Sequence, residues 1–236
     1  MTRYETAKAY AKNRRKIKKA ITQINRSLNQ AIKENKKELE DANIRMIIIL
    51  YSAYLEASLG YIVHFYAAQI TVSNKDKVLG QRSEIDKWNY LIDLLFRKNC
   101  LDGKRKAFNL LNLGHTNFHR YQYINSLTNT EIKTTIELRN KLAHGQWALA
   151  FTSEGDGTNQ AMTTKLWTLT KKDVLATKNI VTNFIDLVEK LTSSDTQFST
   201  TFDKVVHKLE SVKIEHENRY GWLISEIKRK KRPENV

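Results

Sequence analysis

The stretch Met46-Ile47-Ile48-Ile49-Leu50-Tyr51 is the most apolar part of the chain, at the core of a hydrophobic segment that runs from Ala42 to Val72. This segment is long enough to cross a bilayer, but Arg45, Glu56 and His64 interrupt it. A charged side chain at the centre of a membrane-spanning helix costs about 2.5 kcal/mol or more. We therefore predict that the segment is a buried helix of a helical bundle and that the protein does not enter a membrane.

Few residues in this chain can break a helix. The only proline is Pro233, and there are eight glycines among 236 residues. Hydrophobic residues make up 41% and charged residues 28%, which is typical of a folded globular protein. The sequence thus predicts an all-α fold in three parts: a basic amphipathic helix over 1–41, a helical domain over 42–192, and an amphipathic helix with a basic tail over 193–236.

The two terminal segments carry apolar residues at spacings of three and four, which is typical of long amphipathic helices. The first can be a coiled-coil strand, a bundle helix with one solvated face, or an RNA-contacting arm, and its sequence does not choose among them. The second ends in five consecutive basic residues, Lys228 to Arg232. Such a run is either a nucleic-acid-contacting tail or a solvated helix end.

A small β-hairpin is predicted within the central part. Trp147 to Thr152 and Lys165 to Thr170 are short runs rich in aromatic, β-branched and apolar residues. A polar turn that contains Gly155 and Gly157 separates them. This arrangement favours a hairpin with a loose loop.

Charge and cysteine content limit the partners and the compartment. The formal net charge of +15 indicates a polyanionic partner such as RNA, because lysine and arginine displace the counterions condensed on nucleic acid. The single cysteine, Cys100, excludes an internal disulfide and every cysteine-rich metal site. The first twenty residues are basic and contain no apolar stretch, so we expect no signal peptide and a cytoplasmic location.

The string Leu138-Arg139-Asn140-Lys141-Leu142-Ala143-His144-Gly145 contains the candidate catalytic residues. It resembles the signature of the HEPN superfamily, in which an arginine and a following polar residue precede a histidine, with four residues between arginine and histidine. Asn140 matches the favoured polar residue, and Ala143-His144-Gly145 matches a common continuation. The surrounding order is also similar: an apolar helix with Glu56, a helix with Trp88, and then the motif helix. The resemblance covers roughly residues 42 to 190.

The resemblance implies RNA cleavage without a metal or any other cofactor. His144 would move protons at the ribose 2′-hydroxyl or at the leaving oxygen, because imidazole titrates near neutral pH. Arg139 would stabilise charge on the scissile phosphate with its planar guanidinium. Asn140 would support them. Cleavage of this kind leaves a 2′,3′-cyclic phosphate.

Helix geometry complicates this assignment. Positions 139 and 144 lie about 140° apart on an ideal helix, whereas Asn140 and His144 share a face, so that Asn140 is placed to orient the imidazole. Either the helix ends at His144, or a second subunit completes the site. The family usually builds a composite cleft from two motifs, which implies a homodimer.

Several other residues are weaker candidates. Lys141, within the motif, is a predicted contact of the RNA backbone, and Trp147 is predicted to stack on a base. Glu56 is either a partner of Arg139 or His144, or a solvent-exposed acid. His115 and His119 are four residues apart, a spacing that metal ligands on a helix share, but no carboxylate or cysteine lies nearby in sequence, so we predict no metal site.

These observations support an RNA endonuclease of the HEPN type, with a role as a toxin or antiviral defence effector that is implied by the family alone. A regulatory or antitoxin protein is then an expected partner. Two alternatives stay open. One is a non-catalytic module that binds RNA or protein, and the other is a coiled-coil assembly protein that acts through its terminal helices.

Overall fold

The computed structural model describes residues 1–193 and 195–229, with the side chains of 195–200 and 212–219 left undescribed. The described residues form a helical bundle, so the prediction of an all-α protein is confirmed. The helices are α1 (Arg3–Lys33), α2 (Lys37–Phe65), α3 (Val72–Leu79), α4 (Glu84–Cys100), α5 (Leu110–Leu127), α6 (Lys133–Ala143), α7 (Gln160–Thr168), α8 (Lys171–Leu191) and α9 (Asp195–Arg229). A π-helical turn over Thr128–Ile132 joins α5 to α6.

Helix α2 is the centre of the bundle. It packs along α1 and also contacts α3, α6 and α8, while α9 packs on α8 and α1. By length and hydropathy α2 could span a membrane, but 67% of its most apolar window is buried inside the protein. Its apolar residues are therefore covered by neighbouring helices, as expected for the core helix of a soluble protein.

One hydrophobic core joins all three predicted parts of the chain. Leu28 of α1, Ile47 of α2 and Leu209 of α9 belong to the same buried cluster, together with Trp88 of α4 and Phe184 of α8, whose rings meet edge to face at 5.0 Å. The terminal helices thus cover the central helices instead of standing apart from them.

Helices α1 and α2 approach each other closely at Gly60. A Cβ placed at this glycine would lie 2.4 Å from ring atoms of Tyr10. The short connection between the two helices, residues 34–36, has Asn35 in the left-handed region, at φ 53°. Asparagine tolerates this conformation better than most residues, so α1 ends at Lys33 and α2 begins at Lys37, several residues before the end of the basic helix predicted over 1–41.

The predicted β-hairpin is wrong. The second run, Lys165 to Thr170, lies mostly within α7, and the first run makes only one isolated antiparallel bridge, between Phe151 and Thr158. Asn159 starts α7 by accepting a hydrogen bond from the Met162 backbone N–H at 3.0 Å. The threonine-rich composition favoured a strand, but this cap and the burial of Thr163 and Leu166, three residues apart, favour a helix.

The basic tail falls at the limit of the described residues. Lys228 and Arg229 belong to the last turn of α9, and residues 230–232 lie outside the described part of the chain.

Candidate functional site

The motif helix ends at His144, which is one of the two alternatives that the sequence left open. Helix α6 closes at Ala143, His144 is the capping residue with φ −90° and ψ 19°, and Gly145 follows in the left-handed region at φ 76°. The backbone N–H of Gln146 donates to the carbonyl of Lys141 at 2.9 Å, and that of Gly145 donates to Leu142 at 3.2 Å. This pattern is the usual glycine-dependent helix end, and it holds the His144 backbone in a defined position.

Arg139 is paired across helices. Its Nη2 lies 3.3 Å from Oε2 of Glu56 on α2, and its Nη1 donates to Oδ1 of Asn140 at 3.0 Å. Both partners of the ion pair are accessible, with 37% of the Arg139 side chain and 60% of the Glu56 side chain exposed. Of the alternatives for Glu56, the structure therefore selects an exposed partner of Arg139. An exposed ion pair of this kind is worth about 0–1 kcal/mol.

Asn140 does not orient His144, as helical spacing had suggested. Its side-chain oxygen accepts from Arg139, and the His144 imidazole has no hydrogen-bond partner among the described residues. The imidazole of His144 is exposed to solvent at the helix end.

A cleft of about 480 Å³ lies between α2, α6 and the start of α4. It is lined by Ser52, Glu56, Arg82, Ser83, Glu84, Ile85, Lys133, Ile136, Glu137, Arg139 and Asn140. His144 does not line it. The structure thus brings together three of the six predicted site residues, Glu56, Arg139 and Asn140, whereas Lys141, His144 and Trp147 do not line this cleft.

Glu84 is a site residue that the sequence did not reveal. Burial raises the pKa of its carboxyl, and the negative charge of Glu56 raises it further, while Lys87 and Arg139 act in the opposite direction. Its Oε1 is buried and makes no hydrogen bond among the described residues. A carboxyl with a raised pKa in a cleft can hold or transfer a proton. Its position directly after a helix cap gave no hint that it faces Arg139.

Lys141 and Trp147 both hold the segment that follows the motif helix. The ammonium group of Lys141 donates to the carbonyl of Phe151, and the Trp147 indole N–H donates to the carbonyl of Leu142 at 2.9 Å. The guanidinium of Arg45 lies 5.9 Å from the Trp147 ring. Their predicted contacts with RNA stay predictions, but each has a structural role at the motif.

His115 and His119 lie side by side on α5, with their Nε2 atoms 3.2 Å apart. In the part of the chain that the structure describes, no group of three or more histidine, cysteine, aspartate or glutamate side chains is arranged to hold a metal ion. The histidine pair alone therefore supplies only two of the ligands that a protein zinc site requires.

Comparison with known proteins gives no family for these residues. No family model matches the chain, and no match was found among curated proteins or solved structures.

Proposed function

We propose that this protein is a metal-independent RNA endonuclease of the HEPN type that acts as a homodimer in the cytoplasm. The observation that carries the proposal is the motif string Leu138 to Gly145, with Arg139 in a polar cleft and His144 at an exposed helix end. A toxin or antiviral defence role is the role that the resemblance implies. A regulatory or antitoxin protein would then control it.

The proposed reaction is an internal transesterification. The ribose 2′-oxygen attacks the adjacent phosphorus, the bond between phosphorus and the 5′-oxygen breaks, and a 2′,3′-cyclic phosphate and a 5′-hydroxyl result. The proton leaves the 2′-hydroxyl and another arrives at the 5′-oxygen, and the imidazole of His144 suits either transfer. The guanidinium of Arg139 suits the charge that builds on the phosphate oxygens.

The state of Arg139 is compatible with phosphate binding. Its two hydrogen bonds engage Glu56 and Asn140, and a guanidinium has five N–H donors, so most of them remain for a phosphate. The exposed ion pair with Glu56 is weak, and a phosphate can compete with it.

A second copy of the chain would complete the site. His144 lies outside the cleft that holds Arg139, so one subunit does not present both groups to one phosphate from the same cleft. The segment after His144 exposes large apolar side chains: Trp147 is 37% exposed, Leu149 50% and Phe151 40%. Trp167, 65% exposed, lies against this segment through a hydrogen bond to the Ala148 carbonyl at 2.7 Å. Such a patch beside the motif fits a self-association surface.

The decisive experiment incubates the purified protein with RNA in EDTA. The wild type is compared with His144→Ala, and with His115→Ala as a control that changes an exposed histidine outside the cleft. We expect cleavage by the wild type and the control, with cyclic phosphate ends, and a loss of about 10²- to 10⁴-fold in His144→Ala. Equal cleavage by His144→Ala and the wild type would refute the proposal.

Glu56→Gln tests the role of the ion pair. We expect the free energy of unfolding to change by less than about 1 kcal/mol, because the pair is exposed. RNA binding should become tighter, since the substitution removes a negative charge and a competitor for Arg139. Glu137→Gln is the matched control, because Glu137 lines the same cleft but forms its ion pair with Lys133, at 3.9 Å. Weaker RNA binding by Glu56→Gln alone would show that Glu56 positions Arg139 instead of competing for it.

A non-catalytic module that binds RNA or protein is the second candidate. It is favoured by the pairing of Arg139 with Glu56 and by the separate placement of His144. If neither the wild type nor His144→Ala cuts RNA, expression of both proteins in cells distinguishes the nuclease from the non-catalytic module. Toxicity that depends on His144 supports an enzyme that needs an activator, and toxicity or binding that does not depend on it supports the module.

A further inference from the structure

A second cleft, separate from the motif, opens between α1, α2 and α8. Its volume is about 420 Å³, and its lining includes two lysines, Lys18 of α1 and Lys178 of α8, but no aspartate or glutamate. Neither lysine forms an ion pair among the described residues, and Lys18 is instead held over the Tyr54 ring, with its ammonium 5.0 Å from the ring centre. The cleft therefore has uncompensated positive charge.

A third lysine lies behind this cleft, in the protein interior. Lys171 is only 3% exposed, and its ammonium group donates to Oδ1 of Asn25, which lines the cleft. No carboxylate pairs with Lys171 in the described part of the chain. The nearest acid in sequence, Asp173, instead accepts hydrogen bonds from the backbone N–H and the hydroxyl of Thr170, at 2.8 and 2.7 Å. Buried charges are normally paired, so a buried ammonium group with only a neutral partner is unusual.

Donors dominate the polar surface of the cleft. The side-chain oxygen of Asn25 is occupied by Lys171, which leaves the amide N–H groups of Asn25 as donors. Tyr51 is 5% exposed, lines the cleft, and its hydroxyl has no hydrogen-bond partner among the described residues. Two ammonium groups, the Asn25 amide and the Tyr51 phenol are thus donors around one concave space, with a buried third ammonium behind the amide. The other polar groups of the lining are three hydroxyls: those of Thr22 and Thr182 donate to backbone carbonyls at 2.9 and 2.7 Å, and that of Tyr54 accepts from Arg14 at 3.3 Å.

We propose that this cleft binds a small, freely diffusing phosphate monoester, and that its phosphate supplies the counter-charge that Lys18, Lys178 and Lys171 lack. A phosphate carries up to two negative charges and accepts several hydrogen bonds, which matches a set of donors without acids. The space is concave and of the size of sites that hold small ligands. The inference does not depend on the proposed nuclease activity, because none of these residues lines the motif cleft.

Binding would also change the protonation of the protein. Burial lowers the pKa of Lys171 to about 8, with a smaller contribution from the positive charge of Lys178. A bound phosphate would favour the charged ammonium, so that binding near pH 8 takes up protons. The other ionisable side chains that line the cleft are Lys18 on α1, Tyr51 and Tyr54 on α2, and Lys178 on α8.

The test is calorimetric titration of the full-length wild type with inorganic phosphate and with adenosine 5′-monophosphate. We expect saturable binding of the nucleotide, a loss of at least tenfold in affinity in Lys178→Gln and Lys171→Met, and no change in Lys172→Gln, a neighbour that does not line the cleft. Near pH 8 the measured enthalpy should depend on the ionisation enthalpy of the buffer in the wild type, and much less in Lys171→Met.

Three outcomes would overturn the proposal. The first is no binding of either ligand at millimolar concentration. The second is equal loss in Lys172→Gln and Lys178→Gln, which would indicate unspecific charge attraction. The third is binding of an RNA oligonucleotide at this cleft without binding of the mononucleotide, which would make the cleft part of an RNA path. His144→Ala should bind the nucleotide like the wild type, so failure here and failure of the nuclease proposal are distinguishable.

Discussion

Lys171→Met should stabilise the protein at neutral pH. The ordinary lysine pKa of 10.5 falls to about 8 in the folded chain, because burial disfavours the charged ammonium. Folding at pH 7 therefore carries a cost of roughly 3 kcal/mol, since each pKa unit corresponds to about 1.4 kcal/mol. Loss of the hydrogen bond to Asn25 offsets about 1 kcal/mol of the gain. A net stabilisation of about 2 kcal/mol is expected, because methionine fills a similar volume without charge.

The pH dependence has a definite sign. Between pH 8 and 10.5 the unfolded chain binds more protons at this residue than the folded chain, so the stability of the wild type rises with pH through this window. The advantage of Lys171→Met should accordingly shrink between pH 7 and pH 10.5. Urea unfolding at both pH values, in buffers without phosphate, measures the difference, and Lys172→Met is the control. A difference between wild type and variant that stays constant across this range would refute the reasoning.

Two further predictions concern the packing of the bundle. Gly60→Ala should destabilise the protein by about 1–3 kcal/mol, because its Cβ would overlap the Tyr10 ring. Gly221→Ala, in open space on α9, should instead stabilise it by about 0.5–1 kcal/mol. Thermal unfolding measures both variants, and equal effects would contradict the close approach of α1 and α2. Asp203→Asn should cost about 1 kcal/mol at pH 7, since Asp203 receives two hydrogen bonds from Arg120, at 2.8 and 2.6 Å, and is 49% exposed. These bonds lower the pKa of the Asp203 carboxyl below its ordinary value of 3.8, so the stability that this ion pair contributes is present above pH 3.8 and is lost as the pH falls below it. If wild type and Asp203→Asn differ in stability equally at pH 7 and pH 2, the ion pair is not the cause of the difference.

Two clefts that differ in the charge of their linings lie on either side of α2. The motif cleft contains both acids and bases, including Glu56, Glu84 and Arg139, whereas the lining of the second contains lysines and no acid. The adjacent residues Ser52 and Tyr51 of α2 line the first and the second cleft respectively. The central helix therefore separates a candidate reaction site from a candidate ligand site.

Local patterns in the sequence determined much of the helical framework. The near absence of proline and the apolar periodicity predicted the all-α class and the buried central helix around Ile47. The end of the motif helix was predictable too, because Gly145 adopts a left-handed conformation that glycine allows at low cost. Each of these features depends on residues that are neighbours along the chain.

Tertiary structure alone decided the rest. Whether Lys165 to Thr170 forms a strand or a helix depended on a cap at Asn159 and on burial against the core, and local propensity cannot settle such a case. Glu56 and Arg139 are 83 residues apart in sequence and meet only because α2 packs on α6. The hydrogen bond from Lys171 to Asn25, 146 residues away, and the burial of this lysine depend in the same way on how α1 and α8 pack. The periodicity of a helix shows which face is apolar, but not which polar side chains of distant helices will share a cleft.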